Sequence, residues 1–163
     1  MAKAYICIWG NDQAAEMAKF YKSVFKGTKI GKTSYWGPNP MNVPIGSVLT
    51  IHLNILGQKI MLLNGFVPMK FNESVSMVVP CRTQKDIDYY WKKLSSDGGR
   101  PVQCGWIVDK FGVHWQIAPA EFDKWNTSKN DVKKLAVMQT MWKMVKLDYK
   151  KLKKAFDTGK VID

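Results

Sequence analysis

The sequence predicts an α+β protein built from two tandem βαβββ modules and closed by a helical C-terminal extension. Three observations predict it. The order strand, helix, three strands can be read twice along residues 1–119. The two halves share a local pattern, Gly57-Gln-Lys-Ile-Met61 matching Gly112-Val-His-Trp-Gln116. Beyond Pro119 the apolar residues move to helical spacing. The modules are placed at about 4–65 and 73–119, forming one domain over 1–119, and the extension at 120–163.

In the first half, Tyr5 to Trp9 is a short run of strand-forming residues stopped by Gly10-Asn11. Asn11 or Asp12 is expected to cap a helix whose apolar positions, Ala14, Met17, Ala18, Tyr21, Val24 and Phe25, fall three and four apart, with Gly27 ending it. Lys32 to Trp36 is a second strand. The Gly37-to-Pro44 segment is too rich in proline for regular structure. Ser47 to Ile55 alternates, with Leu49, Ile51, Leu53 and Ile55 on one face and Thr50, His52 and Asn54 on the other. A turn at Leu56-Gly57-Gln58 leads to the strand Lys59 to Asn64.

In the second half, Ser74 to Val79 is expected as a strand. Thr83 and Asp86 have the spacing of a capping box for a helix that buries Ile87, Tyr90, Trp91 and Leu94. Gly98-Gly99 ends it. Strands at Pro101 to Cys104, Trp106 to Val108 and Val113 to Ala118 follow. The last two are joined by Asp109-Lys110-Phe111-Gly112, where glycine supplies the positive φ of a tight turn. In the outgoing strand Val113, Trp115 and Ile117 share one face, and His114, Gln116 and Ala118 the other. Gln116 is thereby aimed away from its apolar neighbours, onto the floor of any pocket on that side. In the extension, Val132, Leu135, Met138, Trp142 and Val145 predict one helical stripe. Asp148 is an N-cap, flanked by Leu147 and Leu152 as a hydrophobic staple, and Gly159 stops the last helix.

The formal charge is +12 over 163 residues. Such a balance permits an anionic partner, but the excess is spread along the chain and only two of the 25 basic residues are arginine. The composition argues against a dedicated nucleic-acid surface, and the tail lysines read as the wet side of docked helices. No run is long enough to span a membrane and no secretory signal is visible. Cys7, Cys81 and Cys104 form no C-x-x-C pair, which points to a reducing, cytoplasmic setting without disulfides or structural zinc.

Four stretches carry a closer resemblance: Ala14-to-Tyr21, Phe71-to-Ser76, Thr83-to-Leu94 and, above all, Cys104-Gly-Trp-Ile-Val-Asp-Lys-Phe-Gly-Val-His-Trp-Gln116. They resemble the PhnB-like branch of the vicinal-oxygen-chelate superfamily, which includes glyoxalase I, bleomycin-resistance proteins and extradiol dioxygenases. The branch carries the label "3-demethylubiquinone-9 3-methyltransferase-like", and Met138-to-Met144 with Leu147-Asp148 resembles its tail. No Gly-rich nucleotide loop for S-adenosylmethionine accompanies that label. The resemblance implies two modules forming a curved sheet, and a homodimer.

Metal-bearing members of the superfamily take one ligand from the first and one from the last strand of each module. Carried onto this chain, those positions fall near Tyr5 and Ser74 and at Met61 and Gln116. That set has neither carboxylate nor imidazole, so no metal and no cofactor are expected. The implied function is a pocket that binds a small organic molecule, lined by Tyr5, Cys7, Met61, Leu63, Ser74, Ser76 and Gln116. Whether the chain is an enzyme stays open. Catalysis on a small oxygenated or aromatic substrate would use Glu73 as general base, with Gln116 and Ser74 positioning an oxygen. Weak association of the basic tail with nucleic acid or acidic membrane is a further alternative. Trp9, Trp36, Trp106 and Trp115 suit either a ligand cavity or a core, and Cys104 either a reactive or an inert thiol.

Overall fold

The computed structural model of the chain describes residues 3–65 and 67–163. It divides into two compact units, Met1–Lys70 and Phe71–Asp163. The first contains β1 (Ile6–Trp9), α1 (Ala14–Val24), β2 (Lys29–Tyr35), β3 (Val48–Ile55) and β4 (Gln58–Leu63). Its sheet runs β1-β4-β3-β2, with β1 parallel to β4 and the other pairs antiparallel. The alternation of β3 decides which side is covered. Ile51, Leu53 and Ile55, with Ile60 and Leu62 of β4, are buried on the side where α1 brings Met17, Tyr21 and Val24. Each such side chain contributes roughly 1.5–3 kcal/mol when taken out of water. Thr50, His52, Asn54, Lys59 and Met61 are left on the uncovered face.

The start of α1 departs from the local reading. Asn11 and Asp12 take positive φ in the preceding turn and do not cap; Gln13 is the N-cap and makes no side-chain bond. The free N–H of Ala14 donates instead to Asn64 Oδ1 at 3.0 Å, while Asn64 Nδ2 donates to the Val48 carbonyl. A residue fifty positions away does the work of a cap, because the end of β4 lies beside the helix start.

The second unit repeats the plan with β5 (Met77–Cys81), α2 (Gln84–Leu94), β6 (Arg100–Pro101), β7 (Trp106–Val108) and β8 (His114–Pro119), ordered β5-β8-β7-β6. The capping box forms as expected: Thr83 N–H donates to Asp86 Oδ2 and Asp86 N–H to Thr83 Oγ1. Two strands are shorter than expected. Ser74 lies in a turn, its N–H donating to Asn72 Oδ1, and the strand begins only at Met77. The strand expected to reach Cys104 stops at Pro101, and Gln103–Gly105 forms a 3-10 turn in which Cys104 takes φ +58°. At Gly105, φ is +83° and an added Cβ would lie 2.9 Å from both the Ile117 carbonyl and Leu147. Gly105→Ala is therefore expected to cost about 2–4 kcal/mol in denaturant unfolding, from strain and overlap together. A loss below about 1 kcal/mol would show that the turn can relax.

The extension belongs to this second unit. It comprises α3 (Phe122–Asn126), α4 (Asp131–Trp142) and α5 (Tyr149–Thr158). Trp125, Ala136, Val137, Leu147, Leu152 and Ala155 form a small core of their own. The Asp148 cap and the Gly159 stop are present as read. The stripe predicted on α4 is not the buried one. Val132, Leu135 and Trp142 are 66%, 51% and 52% exposed and Met138 is half-buried, whereas Ala136, Val137 and Thr140 are buried; Val145, 47% exposed, lies beyond the end of α4. Ala136, Val137 and Thr140, with Met141 and Met144 partly buried beside them, turn toward the small core, and Val132 and Leu135 turn away from it. Several tail lysines are held by carboxylates: Lys134 with Asp131, Lys143 with Asp163, Lys146 with Asp88 and Lys153 with Asp157. No described helix is long and apolar enough to cross a membrane.

Candidate ligand-binding site

In the second unit the uncovered face of the sheet meets the C-terminal helices. The strand register sets Val78, Gln116 and Trp106 side by side across β5, β8 and β7, with Pro80 and Ala118 forming the next row. These residues floor a cavity of about 250 Å³ walled by Cys104, Phe122, Asp123, Asn126, Met141 and Leu147. Gln116 is the polar centre of that floor. Its Nε2 donates to Ser76 Oγ at 2.8 Å, which fixes the amide plane and leaves Oε1 without a partner among the described residues. Asp123 and Asn126 supply further polar groups from α3.

The structure sorts the other expected residues. Cys7 and Met61 are partners across β1 and β4 on the uncovered face of the first sheet, and Leu63 is half-buried two residues on. Tyr5 is 44% exposed and meets His52 edge-on at 5.6 Å. By register, Cys7 facing Met61 is the counterpart of Val78 facing Gln116, so Tyr5 corresponds to Ser76 and not to Ser74. Ser74 and Glu73 are both exposed in the turn before β5 and are not among the residues around the cavity. The carboxylate at the cavity is that of Asp123, on a five-residue helix too short to leave a periodic signal in the sequence. Trp106 lines the cavity; Trp115 faces the covered side, 1% exposed, and donates from Nε1 to Asp109 Oδ2.

The surroundings of the thiols disfavour the thiolate. Burial, and then the Asp86 carboxylate, push Cys81 up to about 12, and burial also raises Cys104. His114 is buried against the edge of Trp106, and its Nδ1 has no hydrogen-bond partner among the described residues.

The residues carried over as positions for a divalent ion, Tyr5 and Met61 in one unit and Ser74 and Gln116 in the other, offer no carboxylate and no imidazole. Among the described residues, no group of three His, Cys, Asp or Glu side chains could hold a metal ion.

The sequence profile of the 3-demethylubiquinone-9 3-methyltransferase family matches residues 2–118 and stops before the helical extension. Among solved structures, a PhnB protein from Bacillus cereus is 27% identical with a TM-score of 0.64, covering 73% of this chain and 100% of its own. A protein from Pseudomonas aeruginosa has a TM-score of 0.61 at 14% identity, covering 73% of this chain and 98% of its own. The fosfomycin resistance protein FosX from Mesorhizobium loti has a TM-score of 0.51 at 13% identity, covering 71% and 89%. These last two likenesses show the shared fold. No curated protein matches the chain.

Proposed function

Because the chain belongs to the PhnB-like 3-demethylubiquinone-9 3-methyltransferase family, we propose that it binds a small organic molecule, without a metal, in the cavity over Gln116. The observation that carries this reading is the Gln116 amide itself. It stands on an otherwise apolar floor of Val78, Trp106 and Ala118, oriented by Ser76 and with its carbonyl oxygen free. A cavity with an apolar floor, one oriented amide and the polar groups of Asp123 and Asn126 at its wall is what recognition of a compact organic molecule requires. At about 250 Å³ the cavity lies just below the usual size of ligand pockets, roughly 300 Å³ and upward, so the ligand is small. The donor chemistry at the superfamily's metal positions supports the metal-free part of the proposal. The ion pairs of the tail lysines support a structural role for those helices over one in nucleic-acid or membrane binding. An enzymatic role would have to use Asp123 in place of Glu73, since Glu73 stands away from the cavity.

Native mass spectrometry of protein isolated from its own cells is expected to show a co-purifying organic molecule and no stoichiometric metal. Gln116→Leu should then weaken that molecule's affinity by about ten- to a hundredfold, from loss of one hydrogen bond in a partly buried site. Its unfolding midpoint should change little, because among the described residues the side-chain bond lost is the one to the Ser76 hydroxyl. Equal affinity in the variant would overturn the assignment of Gln116, and a stoichiometric metal ion would overturn the metal-free reading.

A further inference from the structure

We propose a second site, on the first sheet, that binds a small phosphate-bearing molecule through Lys29, Lys32 and Lys59. It rests on three observations. The first is charge: residues 17–72 contain seven lysines and no aspartate or glutamate. The second is convergence. The register sets Lys29, Asn54 and Lys59 in one row across β2, β3 and β4, on the face that α1 does not cover. The β2–β3 pairing then slips between Ile30 and Thr33, so that Gly31 and Lys32 together face His52. Such a bulge re-aims a side chain, and here it adds Lys32 to the other two. Together these residues line a cavity of about 390 Å³.

The third observation is unmet polar capacity. His52 Nδ1 is buried with no hydrogen-bond partner among the described residues. The ammonium of Lys59 rests 4.6 Å from the Tyr5 ring centroid, a contact that offsets its charge only in part. Lysines on one sheet face repel one another, and a multiply charged anion among them reverses the sign of that interaction. Lysine binds phosphate oxygens as a compact point charge, without the bidentate geometry of arginine, so three converging lysines suit a small phosphate group.

The test titrates the full chain with inorganic pyrophosphate, followed by calorimetry and by backbone amide NMR. Saturable one-to-one binding is expected, with shifts centred on Gly31 and Lys32. Lys32→Gln with Lys59→Gln should weaken it by about a hundredfold, at roughly tenfold per charge-assisted bond. Lys32→Arg with Lys59→Arg, which keeps the charges, should retain most of the affinity. Lys19→Gln with Lys22→Gln, two exposed lysines on α1, should leave it unchanged. An equal loss in that control pair would reduce the effect to diffuse surface charge and overturn the site. So would the absence of saturable shifts in the unaltered protein. A single-stranded oligonucleotide that binds through the same lysines and resists displacement by pyrophosphate would assign the surface to nucleic acid instead.

Discussion

Asp109→Ala is expected to lose about 3–5 kcal/mol of stability, the largest effect of any single substitution considered for this protein. Asp109 is a charged side chain only 2% exposed. Its Oδ1 accepts the N–H groups of Phe111 and Val113 at 2.9 and 3.0 Å, and its Oδ2 accepts Trp115 Nε1 at 2.9 Å. The carboxylate thus holds the β7–β8 turn and satisfies the indole buried under the sheet in one arrangement. Truncation to alanine removes three charge-assisted bonds and strands a buried indole N–H. Asp109→Asn is expected to fall between the two, because its Oδ1 keeps the turn while its NH₂ opposes the indole donor. Guanidinium unfolding followed by far-ultraviolet circular dichroism and tryptophan fluorescence measures both. A loss under about 1 kcal/mol for the alanine variant would mean that water replaces the carboxylate, and that the turn does not depend on it.

Deletion of residues 130–163 is expected to abolish the folded second unit and cause aggregation. The cut removes Ala136, Val137, Leu147, Leu152 and Ala155 from the small core and leaves Trp125 uncovered. It also removes the carbonyls of Met144 and Val145, which accept the N–H groups of Cys104 and Gly105 at 2.8 Å each. At roughly 1.5–3 kcal/mol per large buried side chain and 1–3 per orphaned N–H, the loss is comparable to the whole stability of a domain, about 5–15 kcal/mol. Val132→Ser and Leu135→Ser alter only the exposed face of α4, and each should change stability by less than about 0.5 kcal/mol. A truncated protein that stays monodisperse and melts at the original temperature would show that the helices are an appendage. Large losses from the two serine variants would show that the outer face of α4 is covered in solution.

The sequence by itself determined the features governed by nearest neighbours and by period. The two βαβββ runs, the Thr83–Asp86 capping box, the turn at Gly112, the Asp148 cap and the outward aim of Gln116 all depend on residues within a few positions of one another. Alternation in β3 and β8 likewise separated the covered from the uncovered face, because a one-residue error would reverse every side chain. The family, too, could be read from local motifs, the Cys104-to-Gln116 stretch above all.

Tertiary structure decided what depends on partners distant in sequence. Asn64 in place of Asn11 at the start of α1, the Gln116–Ser76 hydrogen bond, and Asp123 beside the cavity each follow from strand register or from a helix docked elsewhere in the chain. The buried face of α4 was hidden for a related reason. Hydrophobicity marks which side chains favour burial, but the placement of the helices decides which face is covered. Local pattern records the preference of a segment, and the fit between segments decides which preference is met.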